Sequence, residues 1–380
     1  MATRRQFLLT VSAVGASRML TACGGDGQPS VSSNAASTAA VDDSLRRQAA
    51  AASASLPFYG INAHLTYDYA PVPAWTTSTY VSTFKNLGVQ WVRTNVADPT
   101  AASALVPFLK LFAANGIAPL VVIDMGVDVT QSYAANYSAA WTLGSGIARA
   151  LNGYCSYFEC GNEVDITCRV DYPGWTTPNP VDGKPVDGSV PTDYVPAAIE
   201  AMRGWTAGMS TGIKTVIPAA KCGYASGVAY SYVVADMLYN GKDIAGATTQ
   251  PPIALDFMGV HWYAGENDVL AAGPSTHTNQ FVNVLQQLNV VMPGKPLIVS
   301  EFGTWDTAAN QAQYLTSQFD VWRTHRTQYN IAAASFYALF PNPADQGETL
   351  AMNWGIMQAD GTTKKAAYAA YRSYTSAHPA

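Results

Sequence analysis

Along most of the chain, short apolar runs alternate with longer amphipathic stretches. An apolar run bounded by turn residues reads as a buried strand, and apolar positions at helical spacing read as a helix. On that basis strand 1 falls at 58–65 and a helix at 77–87, with strand 2 at 90–96 and a helix at 101–115. Strand 3 is predicted at 117–124, followed by a helix at 133–151, and strand 4 at 154–161. A Pro-, Gly- and Asp-rich excursion at 165–191 precedes a helix at 194–209. Strand 5 is predicted at 215–220 with a helix at 230–239, and strand 6 at 255–262 with a helix at 279–288. Strand 7 at 297–300, a helix at 308–325 and strand 8 at 331–339 follow, then a hairpin at 353–363 and a last helix at 364–374. Strict alternation of strand and helix predicts an α/β chain closed as a (β/α)8 TIM barrel. An open doubly wound sheet is the rival, but no Gly-x-Gly-x-x-Gly follows strand 1. No internal repeat and no transmembrane stretch is evident in the sequence.

The barrel pattern begins only at Pro57. Residues 1–23 read as an export signal. Thr3-Arg4-Arg5-Gln6-Phe7-Leu8-Leu9 resembles a twin-arginine signal, and Leu20-Thr-Ala-Cys23 resembles the lipobox of bacterial lipoproteins. The apolar stretch between them is short and interrupted by Arg18. The resemblance implies that Cys23 is lipidated, which gives a periplasmic or outer-membrane-anchored lipoprotein. Gly24 after the cysteine favours the outer membrane. Residues 24–56, rich in Ser and Ala, read as a flexible linker, and 57–380 as the barrel domain.

Composition narrows the function. A formal charge of −5 offers no basic footprint for nucleic acid. The 21 tyrosines and 9 tryptophans suit sugar faces as well as cores. Of five cysteines, Cys23 is assigned to processing, leaving Cys155, Cys160, Cys168 and Cys222 as an even set. An exported chain would pair them as disulfides, and three pairings are open. Their spacing with histidine fits no zinc pattern.

The chemistry gathers at strand tips, because active sites of (β/α)8 barrels sit at the C-terminal ends of the strands. His64, Arg93, Asn95, Asp124, Asn162, Glu163, His261, Tyr263 and Glu301 all fall there. Glu163 and Glu301 end strands 4 and 7, and glycoside hydrolysis needs two carboxyl groups flanking one bond. One must be protonated to serve the leaving oxygen and the other ionised, a split that burial and hydrogen bonding can produce. A lone strand-tip glutamate would more often be a solvated carboxylate or a structural ion pair.

Gly161-Asn162-Glu163 on strand 4, taken with Ser300-Glu301-Phe302-Gly303 on strand 7, resembles clan A glycoside hydrolases, with families 5 and 39 nearest. The resemblance covers about residues 57–376. It implies that Glu163 is the general acid/base and Glu301 the nucleophile of a retaining enzyme that needs no cofactor and no metal. It further implies that Asn162 binds the hydroxyl at carbon 2, that His261 and Tyr263 form a His-x-Tyr pair steering the nucleophile, and that Arg93 holds it ionised. His64 is a candidate for a sugar hydroxyl or for capping a loop, and Asp124 for a substrate contact or barrel structure. Trp305 is favoured over Trp262 as a sugar platform. Strand 8 has no tryptophan in Ser335-Phe-Tyr-Ala-Leu-Phe340, so Tyr337 or Phe340 would lie under the reacting sugar. Val164 stands where many members have proline. The expected partner is a poly- or oligosaccharide, a β-glycan or bacterial exopolysaccharide, cut endo-wise by a monomer that meets a membrane only through Cys23. The rival readings are a carbohydrate-binding protein without turnover and a metal-dependent hydrolase.

Overall fold

The computed structural model describes residues 55–67, 72–123, 126–173, 183–341 and 354–379. Eight parallel strands close into one barrel in chain order. They are β1 Tyr59–Asn62, β2 Trp91–Val96, β3 Ala118–Ile123, β4 Tyr157–Asn162, β5 Lys221–Ser226, β6 Phe257–Tyr263, β7 Leu297–Gly303 and β8 Ile331–Phe336. Gly60 of β1 pairs with Trp91 of β2 on one side and Ser335 of β8 on the other, which closes the ring. The (β/α)8 expectation is thus met. Among the described residues, eight helices of at least eight residues surround the barrel: α1 Thr77–Leu87, α2 Pro99–Ala113, α3 Tyr133–Leu151, α4 Pro196–Val216, α5 Ser231–Tyr239, α6 Val284–Val291, α7 Ala308–Thr324 and α8 Ala366–Ala377. None of them is long and apolar enough to cross a membrane.

Local chemistry sets several helix starts. Thr76, Asp98, Ser132, Asn283 and Thr307 each accept a backbone N–H of the first turn of α1, α2, α3, α6 and α7. Such caps satisfy donors that the helix cannot satisfy itself. α3 and α4 approach closely because Gly204, Gly208 and Gly212 line one face of α4. A Cβ at these positions would stand 2.2, 2.2 and 2.4 Å from the carbonyl oxygens of Tyr133, Tyr137 and Trp141.

The barrel interior is built in layers. Trp91, Leu120, Phe257 and Ile298 belong to one apolar cluster. Glycines make room for its two largest rings: a Cβ at Gly60 would sit 2.2 Å from the Trp91 ring, and one at Gly223 would sit 2.3 Å from Phe257. Further along the strands the buried side chains turn polar, with Asn62, Arg93, Glu159, Ser300 and Ser335 all buried.

Three expectations are corrected. Strand 5 lies at Lys221–Ser226, not 215–220, because α4 runs on to Val216. The helix after strand 6 starts at Val284, since Ser275 to Val282 are used in loop contacts. The four cysteines do not pair: Cys155, Cys160, Cys168 and Cys222 are buried free thiols. Cys168 Sγ donates to Ala198 O at 3.4 Å, and burial pushes the Cys155 thiol up to about 12. The signal, the linker through Ala54 with Cys23, and Asp124 lie outside the described residues, as does the first residue of the predicted hairpin. The rest of that hairpin is a turn whose arms meet at Met357 and Lys364.

Candidate active site

Arg93, near the middle of β2, organises the site. It is 1% exposed and has five side-chain partners, one of them His261, whose Nε2 lies 3.4 Å from Arg93 Nη2. Nε donates to Glu159 Oε2 at 2.7 Å, and Nη1 donates to Glu301 Oε1 at 2.5 Å and Asn62 Oδ1 at 3.0 Å. Nη2 donates to Asn162 Oδ1 at 2.7 Å. Burial works against the guanidinium charge, but Glu159 and Glu301 outweigh it and hold its pKa above the ordinary value. A planar fork of donors fits such a set of acceptors, and a lysine would not.

Glu301 accepts on its second oxygen, Oε2, from the Tyr263 hydroxyl. Glu163 Oε1 lies 2.7 Å from His261 Nδ1, and His261 Nδ1 is also 3.6 Å from Glu301 Oε2. One ligand atom from each of Glu163, His261 and Glu301 lies within 4.8 Å of the others. The two glutamates are 5% and 3% exposed. Thus the residues drawn from strands 2, 4, 6 and 7 do meet, as the sequence pattern predicts.

The backbone is bent to bring them there. The register between β4 and β5 slips between Glu159 and Asn162. Gly161 takes φ 124° and Glu163 takes φ 54°, a left-handed conformation for a non-glycine residue. Bulges near active sites re-aim side chains, and a strained φ of this kind costs on the order of 1–3 kcal/mol. The surroundings support it: Glu163 N donates to Ala225 O at 2.9 Å, and Gly227 leaves space where a Cβ would stand 2.7 Å from Glu163 Cβ. Asp165 braces the turn, accepting from the Tyr224 hydroxyl at 2.6 Å and Ser226 Oγ at 2.9 Å.

An aromatic wall stands beside Glu301. Tyr263, Tyr337 and Trp354 pack edge to face with centroids 5.3–6.2 Å apart, and half-buried Trp305 lies 5.5 Å from Trp354. His64, past the end of β1, contacts the Tyr337 hydroxyl at 3.3 Å and stacks on Tyr67 at 4.7 Å. Burial drives its pKa down to about 4, with Glu301 opposing and Arg93 adding to the fall. Of the alternatives on strand 8, Tyr337 joins the wall, whereas Phe340 packs on Trp75 at 4.7 Å. Trp262 is fully buried and donates to Asn267 O, so of the two tryptophans Trp305 is the one at the wall.

No family model matches the chain, and no curated relative matches it. Solved structures do. An exo-β-1,4-mannosidase, Op5Man5 from Opitutaceae bacterium strain TAV5, superposes with a TM-score of 0.54 at 16% identity, over 84% of this chain and 59% of its own. A family 39 glycoside hydrolase from Bacteroides cellulosilyticus WH2 gives 0.55 at 15%, over 84% and 63%. The family 1 β-glucosidase of Thermotoga maritima gives 0.56 at 12%, over 84% and 97%. These likenesses show a shared (β/α)8 barrel fold. The chain spans less than two thirds of the mannosidase and of the family 39 enzyme.

Three participants are not among the strand-tip candidates. Glu159 and Asn62 are one residue type each inside strands, and their shared partner Arg93 is 66 and 31 positions away. Trp354 lies in the segment predicted as a hairpin. The one available signal was Glu159 itself, a carboxylate on the inward face of an otherwise uncharged strand.

Proposed function

We propose that this chain is a retaining glycoside hydrolase acting on a poly- or oligosaccharide. The observation that carries the reading is the convergence of Glu163 and Glu301, with carboxylate oxygens within 4.8 Å of each other and His261 beside both. Retaining enzymes hold their two carboxyl groups about 5–5.5 Å apart, and inverting enzymes roughly 6.5–9.5 Å. Glu301, held by Arg93 and the Tyr263 hydroxyl, is kept ionised and attacks the anomeric carbon. Glu163 protonates the leaving oxygen, then takes a proton from the water that releases the sugar. In this reading Asn162, His64, Trp305 and Tyr337 contact sugar hydroxyls and faces. We take the substrate to be a β-glycan or bacterial exopolysaccharide cut internally, and Cys23 to carry the lipid that anchors the exported enzyme.

The test is proton NMR of the first product formed from a panel of β-glycans and aryl β-glycosides. Product released with the anomeric configuration of the substrate is the expected result, and initial inversion refutes the mechanism. Glu301→Gln should lose turnover on every substrate while folding normally. Glu163→Ala should regain activity on activated aryl glycosides when azide is added.

A second reading has Glu163, His261 and Glu301 hold a divalent cation for a metal-dependent hydrolysis, since their donor atoms are close enough. The Arg93 guanidinium at 2.5 Å from Glu301 already supplies a cation there, which opposes a second one. Retained activity after chelation separates the two readings.

A further inference from the structure

Two loops at the C-terminal end of the barrel are sewn together: residues 183–195, behind β4, and residues 264–283, behind β6. Ser189 Oγ meets Ser275 Oγ at 2.7 Å, Thr276 Oγ1 donates to Pro185 O at 2.6 Å, and Lys184 Nζ donates to His277 O at 2.6 Å. Asp187, Asp193 and His277 converge at this junction, with side chains 7%, 0% and 6% exposed. His277 Nε2 is 2.9 Å from Asp193 Oδ1 and 3.9 Å from Asp187 Oδ1, and one ligand atom from each residue lies within 4.8 Å of the others.

The carboxylates are held by backbone. Asp187 Oδ1 accepts from Ser189 N at 2.9 Å and Oδ2 from Thr276 N at 2.7 Å. Asp193 Oδ2 accepts from Gly188 N at 2.7 Å and Asp187 N at 3.3 Å. Amides of this kind orient ligands from outside, as second partners do at metal centres. They leave Asp193 Oδ1 buried and turned toward the imidazole, and it accepts no hydrogen bond although His277 Nε2 is near. Two buried carboxylates carry up to two negative charges, and a single imidazole can offset at most one of them, which leaves room for a cation. Donors around a tetrahedral zinc ion, at bond lengths of about 2.0–2.2 Å, stand about 3.3 Å apart. The two distances from Nε2 straddle that value. Imidazole with carboxylate suits zinc-class ions better than calcium or magnesium.

We propose that Asp187, Asp193 and His277 bind one zinc-class divalent cation, which clamps the loop behind β4 to the loop behind β6. The site is separate from the proposed catalytic pair, and it does not depend on the glycosidase reading.

The full chain is dialysed against EDTA and titrated with zinc chloride alone, followed by calorimetry and by thermal unfolding. One zinc ion per chain and a rise in Tm are expected. Asp193→Asn should weaken binding by more than the roughly 10–100-fold that loss of an outer partner costs. If Asp193→Asn does not fold, His277→Gln carries the same expectation. Glu163→Gln should bind zinc as the wild type does. No heat and no change in Tm with zinc would overturn the proposal and leave an imidazolium–carboxylate ion pair. Zinc lost in Glu163→Gln but kept in Asp193→Asn would also overturn it, by placing the ion at the catalytic pair.

Discussion

At the scale of single residues, Arg93 shows how much one side chain can hold. It pairs with Glu159 and Glu301 where all three side chains are almost fully buried. Arg93→Met would leave both carboxylates buried without their counter-ion. Breaking a buried pair by removing one partner costs about 3–5 kcal/mol. We expect a loss of that size in urea unfolding, and a loss below about 1 kcal/mol would refute the view of Arg93 as the organising charge. His64 gives a second prediction, with a sign. Its folded pKa is lowered to about 4, from an ordinary value of 6.5. Between those values the unfolded chain binds the extra proton, so stability rises with pH there and falls as the solution is acidified. The contribution is on the order of 3 kcal/mol, present above pH 6.5 and lost toward pH 4. His64→Gln should flatten that part of the stability–pH curve, and an unchanged curve would count against it.

At the scale of elements, the contact between α3 and α4 rests on absent side chains. Gly208→Ala improves helix propensity by up to about 1 kcal/mol. The added methyl meets the Tyr137 carbonyl, part of a packed helix backbone that cannot swing aside, and overpacking costs about 1–3 kcal/mol. A net loss of stability in chemical denaturation is the expected outcome, and a gain would show that the helices slide apart freely. The same reliance on small residues explains where the sequence was hard to read. Strands 1 to 4 and 6 to 8 announce themselves by apolar runs, because helices cover them. β5 is Lys-Cys-Gly-Tyr-Ala-Ser, with Gly223 yielding its space to the Phe257 ring. The β-branched Thr215-Val-Ile stretch beside it looks more strand-like, yet two of its three residues finish α4. Glu163 and Glu301 were legible because turn residues mark the strand ends that carry them. Glu159 was not, because its meaning depends on a partner from another strand. Asp187, Asp193 and His277 were equally hidden, lying in loops whose meeting no periodicity encodes.

At the scale of the whole molecule, closure depends on the chain's last helix. Tyr371 of α8 donates to Gly60 O at 2.8 Å, Thr375 Oγ1 donates to Leu87 O at 2.6 Å, and Tyr59 donates to His378 O at 2.7 Å. These bonds lie over the β1 side of the barrel, where the first strand meets the eighth. A chain ending before Ala366 would expose that seam, so we expect it to lack a cooperative thermal transition and native near-UV dichroism. A truncated chain that melts like the full one would show the seam to be self-sufficient. Closure also seals the interior beneath the proposed catalytic pair, and this gives Glu159 a further meaning. In the proposed mechanism a sugar is esterified to Glu301, and that carboxylate then loses its charge while Arg93 keeps its own. A single pair would then strand a cation in a dry interior. Glu159 does not react, so the guanidinium stays neutralised through both halves of the cycle, and the covalent intermediate escapes an electrostatic penalty that it would otherwise carry.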